Sequence, residues 1–385
     1  MDKKRILFLF SDTGGGHRAA TNAIIEGLEL GHPGEFDCTM VDFLKYYSPR
    51  PWSFAPEIYQ PLSHASAVWK MSYEAANSSS RSKAANRLAY PMLKKGARRM
   101  LAEHPADMVV SVHPMANWVL PRAMRHHPVP FVTVVTDMVS THAFWYSNLA
   151  DLIIVPTPEA RNRGIRLGIN PARFQVIGQP VSPIFGELTA SKSELRQELG
   201  WDQKATVVLL VGGGDGMGPM RRVAKAINKA ELPVTLVVVC GRNKDLRQEL
   251  EAVDWRIPHQ LLGFTDEMPR LMKASDIFLT KAGPGSISEA FISGLPIIMY
   301  ACLPGQEEGN VDYVLDGQAG LWAPDRRAVV DALSYLIDDP IARVGMTAAS
   351  KGLARPDAAR QIGDALVAQL AAGCSHLPEG CDPED

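Results

Sequence analysis

Short, almost wholly apolar runs alternate along this chain with longer segments whose apolar residues recur at helical spacing. In the first half the runs are "RILFLFS" (5–11), "CTMVDF" (38–43), "MVVSVH" (108–113), "FVTVVTD" (131–137), "LIIVPT" (152–157) and "FQVIG" (174–178). In the second half they are "TVVLLVGG" (206–213), "TLVVVCG" (235–241), "QLLGFT" (260–265), "IFLTKAG" (277–283) and "PIIMYAC" (296–302). Strands that are apolar on both faces belong to parallel sheets covered by helices on each side. The pattern predicts two doubly wound α/β domains. Gly178, Pro180 and Pro183 stop any helix from running through the middle, and a new helix begins near Ser191. This places an N-terminal domain at 1–178, a hinge at 179–190 and a second domain at 191–350. Residues 351–385 read as a helix followed by a frayed polar tail. Doubly wound sheets bind ligands beyond the carboxyl ends of their strands, so two such domains facing across a cleft hold one substrate each.

One stretch breaks the α/β rhythm. Residues 46–79 carry Tyr46, Tyr47, Trp52, Phe54, Tyr59, Trp69 and Tyr73, and a basic run follows with Arg81, Lys83, Arg87, Lys94, Lys95, Arg98 and Arg99. Aromatic rings beside a cationic helix suit an anionic membrane interface. Core aromatics beside a solvated helix face fit the same residues. Charge sharpens this picture. The chain of 385 residues has net charge −2, which argues against a nucleic-acid binder. Residues 1–185 hold 20 Lys and Arg against 14 Asp and Glu, and the remainder holds 20 against 28, so the first half has the better claim on an anionic surface. Cys38, Cys240, Cys302, Cys374 and Cys381 form no metal-ligand spacing and read as reduced thiols of a cytoplasmic protein. The first apolar run is too short for a signal peptide, and no run approaches the ~18 residues a membrane span needs. Membrane contact is therefore expected to be peripheral.

The chemistry lies in the turns after the strands. "SDTGGGHRAA" puts Gly14, Gly15, Gly16 and His17 between a strand and a helix, where backbone N–H groups approach an anion. It also fits G-x-G-x-x-A through Gly14, Gly16 and Ala19, with Asp42 after the second strand, which keeps an NAD-dependent oxidoreductase open. His17 suits proton transfer because imidazole titrates near neutrality. His113 and His142 are secondary candidates, since such residues are more often structural. "VGGGDGMGP" is a second glycine turn, without the Lys-Ser/Thr of a P-loop. "TKAGPGSISEA" puts Gly283 and Gly285 at a strand end, Ser286 as a helix cap and Glu289 one turn further on, able to accept from ribose hydroxyls. "PGQEEGN" collects amide and carboxylate groups that match sugar hydroxyls.

These stretches, with "HPMANWVLPR", "TVVTDMVSTHAFW", "CGRN" and "LLGFTDEMPRLM", span residues 11–310 and resemble the monogalactosyldiacylglycerol synthase and processive diacylglycerol glucosyltransferase family. More distantly they resemble the lipid-intermediate N-acetylglucosaminyltransferase of peptidoglycan synthesis. The resemblance implies an α/β fold of the GT-B type, two Rossmann-like domains, and inverting transfer of a hexose from UDP-galactose or UDP-glucose to diacylglycerol, with no cofactor and no metal. It implies that Gly16, Gly212, Gly213, Gly214, Asp215 and Gly216 line the donor, with Arg242 and Asn243 nearby. Gly263 and Phe264 would hold uracil; Gly283, Pro284, Gly285 and Ser286 the phosphates; Glu289 the ribose; Gln306, Glu307 and Asn310 the sugar. Arg122 would reach the diphosphate from the N-terminal side. His17 would be the base, with Asp137 its orienting partner or an alternative base. The implied location is cytoplasmic, on the inner face of the cell membrane. An isoprenoid lipid acceptor and a catalytically idle lipid- or sugar-sensing module remain alternatives. Neither galactose against glucose nor the oligomeric state is set by the sequence.

Overall fold

The structure, a computed structural model, describes residues 3–12, 15–54, 57, 66–124 and 129–374. Gly14, Tyr59 and the tail beyond residue 374 lie outside the described residues. The chain forms two compact units: residues 1–182 with 357–385, and residues 183–356.

The first unit is built on a parallel sheet of β1 (Lys4–Phe10), β2 (Phe36–Asp42), β3 (Met108–Ser111), β4 (Phe131–Val134), β5 (Leu152–Val155) and β6 (Phe174–Val176), in the order β2-β1-β3-β4-β5-β6. Its central strands bury both faces. Ile6 and Phe8 pack with Val110, Val112 and Ile24, while Leu7 and Leu9 pack on the other side with Val109, Leu93 and Phe131. The helix Ala358–Ala372 returns to this unit, adding Ile362 and Leu366 to the Ile6 side, and His32 Nε2 lies 2.9 Å from Asp364 Oδ1.

The second unit holds β7 (Thr206–Val211), β8 (Val234–Val239), β9 (His259–Leu262), β10 (Ile277–Lys281), β11 (Ile297–Ala301) and β12 (Gly320–Trp322), in the order β12-β11-β10-β7-β8-β9. The helix Met220–Ala230 covers one face because Met220, Val223, Ala224 and Ile227 fall on one stripe. Asp276 fastens this unit: its carboxylate meets Lys192 and Arg196, each at 2.5 Å, and accepts the Val207 N–H at 2.7 Å. Strand β12 was not foreseen, because three residues beginning with glycine make no apolar run.

In each sheet the strand order reverses once. The reversal lies between β1 and β3 in the first unit and between β7 and β10 in the second. Such switch points open a crevice at the carboxyl ends of the strands. The residues that follow β1, β3, β7 and β10 therefore stand at the switch points.

The aromatic stretch divides its residues. Tyr47 and Trp52 pack against the core and Tyr73 is buried, whereas Tyr46 and Phe54 are exposed. On the helix Ser79–Glu103, Ala89, Leu93, Ala97 and Met100 face inward. Arg81, Lys83, Arg87, Lys94, Lys95, Arg98 and Arg99 all face outward, together with Leu88 and Met92. Among the described residues no helix is long and apolar enough to cross a membrane.

Candidate active site

In the first unit the turn after β1 enters the helix Gly16–Gly31 through Gly15, which is left-handed with φ 76°. Gly16 is exposed and opens that helix; His17 follows, half-buried. The His17 ring lies 4.7 Å from the ring of His113, the second residue after β3, so the two sit together at the switch point. His17 Nδ1 is 3.1 Å from Thr136 Oγ1, and the ring also hydrogen-bonds the Val112 backbone. Desolvation dominates, pulling the His17 pKa down to about 4. The expectation that this ring titrates near neutrality is thus corrected: burial favours the neutral form. Asp137 is buried, and its Oδ2 accepts the Trp145 indole N–H at 2.7 Å. The Trp145 ring stands 5.9 Å from that of His17, so Trp145 links the two residues singled out from sequence.

Both secondary histidines are engaged with the backbone. His113 Nδ1 accepts the Met115 N–H at the start of a turn, and desolvation and the neighbouring His17 lower its pKa. His142 accepts from Phe144 N–H through Nδ1 and bonds the Tyr73 carbonyl through Nε2. Arg122 stacks 3.5 Å over the Trp118 ring.

The dinucleotide reading needs Asp42 to face a ribose. Instead Asp42 is buried. Its Oδ2 accepts from Ser11 Oγ and the Asp12 N–H, and its Oδ1 from the Lys45 N–H. A carboxylate so engaged has little left to offer a ligand.

In the second unit two glycine turns meet at the switch point. After β7, Gly216 N–H bonds the Gly213 carbonyl and Met217 N–H the Gly212 carbonyl. The Arg242 N–H bonds the Gly214 carbonyl at 2.9 Å, and Asn243 Nδ2 reaches the Gly216 carbonyl at 3.3 Å. Gly241 makes this possible: its φ is 59°, and a Cβ there would stand 2.3 Å from the Gly214 oxygen. Arg242 pairs with Asp215 at 3.2 Å and lies 4.4 Å over the exposed Phe264 ring. A Cβ on Gly263 would stand 4.0 Å from the Gly241 carbonyl oxygen. These expected donor residues therefore form one cluster.

After β10 the helix Pro284–Ser293 has Gly283 as its cap, with no side-chain capping bond. Ser286 was expected to cap it, but Pro284 occupies the first helical position and leaves Ser286 inside the first turn. Glu289 is half-buried and has no hydrogen-bond or ion-pair partner among the described residues; desolvation raises its pKa to about 7. Two of the expected sugar contacts have internal partners. Glu307 is buried, with Oε1 at 2.5 Å from Lys281 Nζ and Oε2 accepting the Leu303 N–H at 2.9 Å. Asn310 is buried too and gives its Nδ2 to the Ala282 carbonyl. Both brace the 281–283 turn, because a buried polar group is costly unless it is bonded. Gln306 is half-buried. Sequence reasoning missed Thr136, Trp145 and Lys281, although all three lie inside the quoted motifs.

Two doubly wound units with their loops at the switch points define a glycosyltransferase fold of the GT-B class. Solved structures share it: Acinetobacter baumannii MurG, at TM-score 0.62 and 14% identity, covering 95% of this chain and all of that one; a S. aureus MnaA-UDP co-structure, at 0.62 and 15%, covering 94% and 95%; and the glycosyltransferase WaaG, at 0.58 and 16%, covering 94% and 100%.

The chain belongs to the monogalactosyldiacylglycerol synthase family. The model of that family matches residues 17–181, and one for glycosyl transferases group 1 matches 191–352. The chain is 35% identical to the chloroplastic monogalactosyldiacylglycerol synthase of Spinacia oleracea over 86% of its own length and 66% of the relative's. It is 36% identical to probable monogalactosyldiacylglycerol synthase 2 of Oryza sativa subsp. japonica, over 84% and 71%, and 33% identical to the probable synthase of Glycine max, over 98% and 73%. It spans 66% and 63% of the lengths of the Spinacia oleracea and Arabidopsis thaliana synthases.

Proposed function

We propose that this protein is an inverting glycosyltransferase that moves a hexose from a UDP-sugar to the free hydroxyl of diacylglycerol. The observation that carries the reading is the family relationship spanning both units, with the synthase match beginning at His17. The acceptor oxygen bonds to the anomeric carbon as the bond from that carbon to the β-phosphate oxygen breaks. The electron pair leaves on UDP, and the hydroxyl proton passes to the His17 ring. A pKa pulled down to about 4 by burial leaves that ring unprotonated at neutral pH, at the cost of some basicity. Thr136 fixes its orientation, and Asp137 acts through Trp145. The departing charge is met by the glycine turns at 212–216 and 283–286 and by Arg242, so the transfer step has no need of a metal. Glu289, without a hydrogen-bond or ion-pair partner among the described residues, accepts from the ribose hydroxyls.

The donor is UDP-galactose or UDP-glucose, and UDP-galactose is the first to test because the relatives are named for a galactolipid. The acceptor is delivered at an anionic membrane on the cytoplasmic side, which the protein meets peripherally. The outward cations of the helix Ser79–Glu103, together with exposed Leu88, Met92, Val68 and Met71, support this reading. Incubation with diacylglycerol vesicles and a panel of UDP-hexoses checks the proposal. One donor gives a lipid-linked hexose with release of UDP; no lipid-linked product from any donor refutes it.

A further inference from the structure

Lys281 ends β10 at the switch point of the second unit. Its Nζ lies 2.5 Å from Glu307 Oε1, and the two side chains are 18% and 4% exposed. Two glycine turns close on this lysine. A Cβ on Gly283 would stand 3.1 Å from Nζ, and one on Gly213 would stand 3.9 Å from Cε. A side chain at 283 would crowd the ammonium, so glycine there leaves it approachable, while Gly213, with φ 74°, brings the other turn into ordinary contact with the lysine stem. Glu307 is held from its other side by the Leu303 N–H, and its own N–H bonds the Leu303 carbonyl at 2.8 Å. The carboxylate is therefore fixed and positions the amine. Nearby, Asn310 gives Nδ2 to the Ala282 carbonyl, while its buried Oδ1 has no hydrogen-bond partner.

A buried ion pair contributes little net stability against apolar residues of the same volume. Stability alone thus gives weak reason for an ammonium here. An ammonium has three N–H donors. One is given to Glu307, and the others are left for an anion entering between the turns at 213 and 283.

We infer that Lys281 is a ligand of the diphosphate of a nucleoside diphosphate, with Glu307 as the residue that positions it rather than a contact to the sugar. This rests on the donor reading above and adds a residue to it. Its selectivity is for the phosphates and not for the nucleoside.

Calorimetric titration of UDP and of uridine into the wild type and Lys281→Met tests it. The expected result is a loss of 10-fold or more in UDP affinity, the size of one charge-assisted hydrogen bond, with uridine affinity within about two-fold and Lys281→Arg recovering most of the loss. Equal losses for UDP and uridine, or no loss for either, overturn the assignment. If Lys281→Met does not fold, acetylation of the wild-type full chain, read by mass spectrometry, decides the question. UDP shields Lys281 and uridine does not; equal labelling with both overturns the inference. A wild type that binds uridine but gains nothing from the phosphates overturns the Lys281 role alone. One that binds neither overturns the donor reading with it.

Discussion

The two switch points are built from opposite materials. In the first unit, His17, His113, Thr136 and Trp145 meet as rings and a hydroxyl, and burial holds both histidines neutral. In the second, Lys281, Glu307, Arg242 and Asp215 meet as charges around glycine turns. The sheets differ in step with this. The order around β7 is that of dinucleotide-binding folds, while in the first unit β2 is an edge strand and the aromatic stretch follows it. One topology thus supplies two switch points of different chemistry, a weakly polar one of neutral rings and an ionic one of paired charges.

The sharpest way to break this contrast is to remove the ring. His17→Ala is expected to slow transfer by ~10²-fold or more, the usual size of a lost general base; turnover within a few-fold of wild type removes His17 from the chemistry. Acid separates the two regions next. The folded pKa of His142 is depressed to about 4 from an unfolded 6.5, so the unfolded chain binds the extra proton first. Stability is then lost as pH falls from about 6.5 to 4, on the order of 3 kcal/mol for this buried ring. His17 and His113 act in the same direction. A melting temperature flat across that range, followed by calorimetry, contradicts the buried neutral rings. A smaller effect sharpens the role of Thr136. Thr136→Val is expected to lower kcat by ~10-fold, with KM near wild type and Thr136→Ser restoring it, as for loss of one positioning hydrogen bond. A loss that serine does not restore makes Thr136 a packing residue. Smallest is the surface effect. Replacing Lys94 by Gln weakens sedimentation with anionic vesicles by ~1 kcal/mol at low salt and leaves neutral vesicles unaffected. Unchanged binding to anionic vesicles discards that face.

Much of this was legible in the sequence because it depends on local rules. Apolar runs marked eleven strands, and glycines after β1, β7 and β10 marked the turns. What stayed hidden depends on contacts far apart in the chain. The Lys281–Glu307 pair joins residues 26 positions apart, and without it Glu307 reads as a free acceptor for a sugar. The depressed pKa of His17 follows from burial, which no spacing records. The return of the helix Ala358–Ala372 to the first unit rests on packing against Gly16–Gly31. The capping role given to Ser286 was avoidable: proline at 284 already marks the first helical position. Of the aromatic stretch, Tyr47, Trp52 and Tyr73 lie inside, as the core reading expects, and Tyr46 and Phe54 are exposed.

One titration reaches the centre of the account: UDP into the wild type, Glu289→Ala and His17→Ala, side by side. Glu289 has no hydrogen-bond or ion-pair partner among the described residues, so its loss is expected to weaken UDP by ~10-fold, while His17→Ala binds UDP within about two-fold of wild type. Equal weakening by both substitutions, or UDP affinity that depends on His17 and not on Glu289, would contradict the division of nucleotide binding and proton transfer between the two units.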